Sequence, residues 1–155
     1  MALLRAGLLL TMLAWAGTAP AGGIPERQLL VLGGEPEKAR ACLPLKEGEP
    51  IYLEFINSIY LAPVRESLVY IDGEGIFVVR VESPSAGVFE YYGLEPDGTG
   101  SATLHRKVGD IRIRSSSYKD HRLIVGGRTL HLKDVAAAAE PLAIRVRPGD
   151  ISCEP

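Results

Sequence analysis

Short apolar segments recur along this chain with a period of two, and glycine, proline or aspartate cuts each one off before it could complete a useful helix. Alternation at that period buries one face of a strand and leaves the other to solvent. Residues 28–32, 39–45, 51–56, 64–71, 76–82, 88–92, 102–108, 111–114, 122–125, 128–132 and 142–147 all read this way. In 51–56, Ile51, Leu53 and Phe55 share a face. In 76–82 the alternation puts Ile76, Val78, Arg80 and Glu82 on one face and Phe77, Val79 and Val81 on the other. Asp72-Gly73-Glu74-Gly75, Gly109-Asp110 and Gly126-Gly127 are hairpin signals. Pro96 to Gly100 is a turn cluster, and 115–118 reads as a solvated loop. The one helix-favouring stretch, 134–140, is too short to stand as an isolated helix, so it is expected to cap a sheet with a single turn. Roughly nine to ten short strands with frequent turns predict a single all-β domain, an antiparallel β-sandwich or partly open barrel.

The N-terminus has a different grammar. One basic residue, Arg5, precedes an apolar run over 6–16, and small residues with Ala19 and Ala21 follow at A-x-A spacing. That order is the one a secretory signal peptide needs. The apolar run falls well short of the ~20 residues that span a bilayer. The expected organisation is therefore a signal peptide at 1–21, a leader at 22–27 and the β domain at 28–155. Cleavage would place the mature protein in the periplasm or outside the cell, with no stable membrane insertion. Retention as an anchor is the other outcome.

Of the chain's charges, 17 are basic and 19 acidic, and the signal segment holds only Arg5. The slight acidic excess excludes general nucleic-acid binding, which needs a basic face to displace phosphate counterions. Cys42 and Cys153 are the two cysteines. An even count in an exported chain suggests a disulfide. Closing so long a loop would stabilise the fold by up to ~4.7 kcal/mol. Two unpaired thiols are the alternative.

The motifs of several large function classes are missing. There is no cysteine pair at zinc spacing, no His-Glu-x-x-His, no phosphate-cradling P-loop and no Gly-x-Ser-x-Gly elbow. His105, His121 and His131 lie on separate segments, so no metal site, cofactor or catalytic residue is assigned. The densest polar group is the run from Asn57 through Ser58, Tyr60, Pro63 and Arg65 to Glu66. It is either a wide hairpin whose Asn, Ser and Pro make the turn, or a small polar pocket at one end of the sandwich. In the turn reading, Glu66 would accept backbone amides or pair with an arginine. Gly87 and Tyr91, within an aromatic cluster with Phe89, Glu90 and Tyr92, complete the candidate binding surface. Such a cluster serves equally as an interface hot spot or as packing at a sheet end.

The segment Phe55-Ile-Asn-Ser-Ile-Tyr-Leu-Ala-Pro-Val-Arg-Glu66 resembles the signature of the domain of unknown function 1850 family, approximately Tyr-x-His-Ser-Val-Glu-x-x-Pro-Val-x-Glu. Ser85-Ala86-Gly87 is similar to that family's Gly-Ala-Gly turn, and residues 120–128 are similar to its late hairpin. Ser58, Pro63, Val64 and Glu66 match. Asn57 stands where the signature has histidine and Tyr60 where it has an acidic residue, so no role of those two groups carries over. The family has no established activity; its members are small exported proteins, often encoded beside TAXI-type tripartite ATP-independent periplasmic (TRAP) transporters. The resemblance implies an accessory role in solute uptake, with a transporter permease, its solute-binding protein or a small solute as partner, and no reaction. Two alternatives stay open: an enzyme using Glu66 as acid or base, and a purely structural envelope-interaction domain.

Overall fold

A computed structural model describes residues 27–34 and 38–149. The signal segment, most of the leader and Cys153 lie outside the described residues. Among those described, ten strands form two antiparallel sheets. Strands β1 (Arg27–Gly33), β2 (Lys38–Leu45), β7 (Ile111–Ile113) and β10 (Leu142–Pro148) make one sheet in the order β2-β1-β10-β7. Strands β3 (Ile51–Asn57), β4 (Ala62–Ile71), β5 (Gly75–Glu82), β6 (Ser101–Lys107), β8 (Arg122–Val125) and β9 (Arg128–His131) make the other, in the order β6-β5-β4-β3-β8-β9. The sheets do not close into a barrel; the fold is a β-sandwich. No helix among the described residues is long and apolar enough to cross a membrane.

Alternation sets the core. Leu29 and Val31 on β1 lie opposite Val146 and Ile144 on β10. Across the gap, Ile51 and Leu53 on β3 lie opposite Val125 and Leu123 on β8. All of them are buried and belong to one apolar cluster, the non-directional burial that makes two layers stable where one sheet alone is not. The β8–β9 hairpin turns on Gly126 and Gly127, both at positive φ, as a two-residue loop matching the strand twist demands.

Four sequence expectations change. Ile76 to Glu82 does not alternate strictly. The β4–β5 register skips one residue, pairing Ser67 with Arg80 and Leu68 with Val78. This bulge leaves Val79 over, so Val78 and Val81 are both buried while Arg80 and Glu82 face outward. The segment around Val88 is a helix, α1 (Ala86–Tyr92), not a strand. Its Val88 and Phe89 enter the core, and Gly93 ends it in a left-handed cap whose N–H bonds to the carbonyl of Glu90. Gly109-Asp110 closes no hairpin: β6 pairs with β5, while β7 pairs with β10 in the other sheet. The turn is a crossover. Finally, 115–118 is not simply solvated, because Tyr118 is buried and its hydroxyl donates to the carbonyls of Ile113 and Glu140. The 3-10 turn beside β9, Leu132–Asp134, ends where the alanine-rich stretch begins, and 135–140 form no helix.

Candidate functional site

The sheets are unequal, and the mismatch makes a cleft. Strand β2, at one edge of the smaller sheet, lies near β8. Its opposite edge is β7, only three residues long. The inner face of β4, β5 and β6 is therefore incompletely covered. A cleft of about 560 Å³ opens there, reached between the edge strands β6 and β7, and a volume of that order suits a small ligand.

Glu66 lies on the wall of this cleft. On β4 it pairs in register with Leu53 of β3 and Val81 of β5, both inner-face residues, so the pleat turns its carboxylate into the gap between the sheets. It neither pairs with an arginine nor accepts a backbone amide among the described residues; the Tyr92 hydroxyl at the end of α1 donates to Oε1 at 2.5 Å. Burial pushes the Glu66 pKa up, opposed by the Tyr92 hydrogen bond and by the positive charge of Arg106. Burial and the neighbouring carboxylate likewise hold the Tyr92 hydroxyl protonated far above neutrality. Arg106, on β6, anchors its guanidinium on the Tyr92 carbonyl at 3.1 Å. Glu66 and Tyr92 are thus a fixed acceptor and donor on a cleft wall that also carries Leu53, Leu68 and Val78.

The eight candidate residues fall into three places. Asn57, Ser58, Tyr60 and Gly87 meet at the β3–β4 tip. Asn57 is buried, and its Oδ1 accepts the N–H groups of Ile59 and Tyr60 at 2.9 and 3.1 Å, so it builds the turn. Ser58 is exposed. The Tyr60 ring lies directly on Gly87, where an added Cβ would sit 2.3 Å from a ring carbon. The close approach explains the glycine and fastens the tip to α1. Ile59 and Leu61 are 65% and 80% exposed, and Leu61 adopts φ 50° to close the turn.

Pro63 and Arg65 belong to the opposite, outer face of the larger sheet, where they line a groove of about 780 Å³. Arg65 lies flat on Tyr52, 4.1 Å from its ring centre, and reaches Glu54 at 3.6 Å. Arg122 meets the same carboxylate at 2.8 Å. Only Glu66 and Tyr91 line the inner cleft. Tyr91, 62% exposed, packs edge-on against Tyr92. Arg65 and Glu66, adjacent in sequence, therefore point to opposite faces and cannot share one pocket.

Sequence reasoning placed Tyr92 in the aromatic cluster without choosing it over Tyr91, and did not single out Arg106. Read as a strand, the aromatic segment puts Tyr91 and Tyr92 on opposite faces with nothing to choose between them. The usable signal was Gly93 as a helix stop, with Val88 and Tyr92 four residues apart on one helix face.

The histidines are dispersed. His105 stacks on Phe77 at 4.5 Å and His121 on Phe55 at 5.8 Å, while His131 borders the outer groove. Burial lowers the His121 pKa, partly offset by Asp120. No group of three or more His, Cys, Asp or Glu side chains among the described residues could hold a metal ion. Cys42 lies on β2, and no described cysteine is a free thiol.

No protein family, no curated protein and no solved structure matches the chain.

Proposed function

We propose that this is an exported, non-enzymatic binding module that serves a TAXI-type TRAP solute transporter and takes its ligand in the cleft beside Glu66. One observation carries the binding part: a carboxylate faces the gap between two sheets, fixed by Tyr92, in a cleft of about 560 Å³. A domain with a purely structural role has no need of an inward carboxylate, since burying one is costly and packing does not require it. The transporter association, the export and the pairing of Cys42 with Cys153 rest on the sequence resemblance, the signal segment and the cysteine count. The tip at Ser58 and Tyr60, with exposed Ile59 and Leu61, is the natural surface for the protein partner.

The test is a pull-down from the native cell envelope, with mass spectrometry of what co-purifies. Recovery of a TRAP permease or its solute-binding protein is the expected result, weakened in Ser58→Ala and Glu66→Ala variants that still fold. Undiminished recovery by a folded double variant would sink the assignment of these residues.

The enzyme reading has one observation in its favour. A carboxyl whose pKa is raised in a cleft is what a general acid requires. It predicts turnover that vanishes in Glu66→Gln.

A further inference from the structure

We infer that the cleft accepts a single-chain amphiphile, its apolar chain lying between the sheets and its carboxylate head held by the arginines at the cleft mouth. The inference deepens the proposed binding reading and rests on the cleft being a ligand site.

The lining divides sharply. Packing leaves Phe55, Leu104, Ile111 and Ile113 only half-buried along the cleft, with Tyr91 and Val108 exposed at its mouth. A small polar solute would leave these groups wet. An alkyl chain would cover them, at about 25 cal/mol for each Å² of apolar surface removed from water. The mouth is cationic. Arg106 on β6 and Arg114, just past the end of β7, straddle it, beside one edge strand of each sheet. Asp110, beside them at the mouth, is held by Arg145. Planar guanidinium groups bind a carboxylate with two parallel hydrogen bonds, so an anionic head fits where a cationic or neutral one does not.

Glu66 sets a condition on this ligand. Tyr92 from α1 and Arg106 from β6 face it, with Asp110, Arg112, Arg114 and His121 lining the rest of the cleft. An ionised Glu66 competes with the ligand head for Arg106 and repels it. A protonated Glu66 does neither. Binding should therefore strengthen as pH falls and Glu66 takes up its proton, until the ligand's own carboxylate protonates.

The experiment is calorimetric titration of the purified protein with dodecanoate, dodecyltrimethylammonium and acetate, each below micelle-forming concentrations. Dodecanoate is expected to bind one to one, acetate not measurably, and the cation about tenfold more weakly or worse, corresponding to the 1.4 kcal/mol scale of one charge-assisted contact. Arg106→Gln, an exposed change that spares the core, should weaken dodecanoate about tenfold. Glu66→Gln should tighten it at neutral pH and flatten its pH dependence. Absence of dodecanoate binding, equal binding of the cation, or an Arg106→Gln variant that binds as well as the parent would each overturn the inference. The outcomes separate from those of the pull-down. Transporter recovery without dodecanoate binding removes the ligand class alone; dodecanoate binding without transporter recovery removes the transporter alone.

Discussion

Glu54 and Glu66 lie on neighbouring strands one register step apart, and they live in opposite worlds. Glu54 pairs across the ladder with Arg65, and Glu66 with Leu53. The pleat sends Glu54 to the outer face, where Arg65 and Arg122 both reach it. It sends Glu66 inward, where a neutral tyrosine hydroxyl is its hydrogen-bond partner and a leucine and a valine flank it. The chemistry of the two side chains is the same. Parity alone makes one a surface ion pair and the other an interior acid. The inner position costs stability, because burying a charge is unfavourable and the Arg106 charge offsets that only in part. Retaining such a residue is sensible where the cleft beside it is used.

The contrast can be broken first at Tyr92. Tyr92→Phe removes the hydroxyl that satisfies Glu66 and leaves a buried acceptor unpaired. The expected loss is about 1–3 kcal/mol in urea unfolding at neutral pH. Combining it with Glu66→Met should recover most of that loss, since removing both partners leaves nothing orphaned. A Tyr92→Phe variant as stable as the parent would mean that Glu66 is not interior.

A second test uses pH. The folded-state pKa of Glu66 is raised above its ordinary value of 4.5 by burial. Below that value the group is protonated in both folded and unfolded chains and costs nothing. As pH rises through 4.5 the unfolded chain ionises first, and the folded state loses ground until its own, higher pKa is passed. Glu66→Gln should thus be more stable than the parent at pH 7, by a margin that shrinks to nothing as pH falls through 4.5. Thermal melts of both proteins across that range measure it. A margin independent of pH would contradict the assignment.

How much of this was readable beforehand follows from the same parity rule. Where alternation ran through a strand, as in β3, β8 and β10, the inner residues could be read directly, though not which strands they would pair with. Alternation failed at Val79, because a bulge inserts a residue without any local sequence mark. The β6–β7 crossover was hidden because Gly109-Asp110 makes a good turn whichever sheet the chain enters next. The candidate site was half legible. The Asn57-to-Glu66 run stood out as polar punctuation, yet its members were divided among a tip, an outer groove and an inner cleft by strand parity and by the sheet on the far side. The cleft itself arises from four strands lying against six, a tertiary mismatch that no window of sequence records. Tyr92 and Arg106 reach Glu66 from 26 and 40 positions away along the chain, and that distance is closed only by the fold.

The smallest effect belongs to the outer member of the pair. Glu54→Gln removes the carboxylate shared by Arg65 and Arg122, whose side chains are 42% and 50% exposed. Solvent already screens such contacts, and exposed pairs are worth about 0.2–1 kcal/mol. Arg65 keeps its stacking on Tyr52 without Glu54, so its position should survive. The expected loss is below about 1 kcal/mol at low salt. It should fade as ionic strength rises and the Debye length falls toward ~3 Å at 1 M. The Tyr92→Phe penalty, by contrast, comes from an interior group that salt does not reach, and should persist. Measuring both variants across a salt series places each glutamate on its face. If the Glu54→Gln penalty were the larger of the two, or the one that resisted salt, the outer groove and not the inner cleft would hold the strained carboxylate.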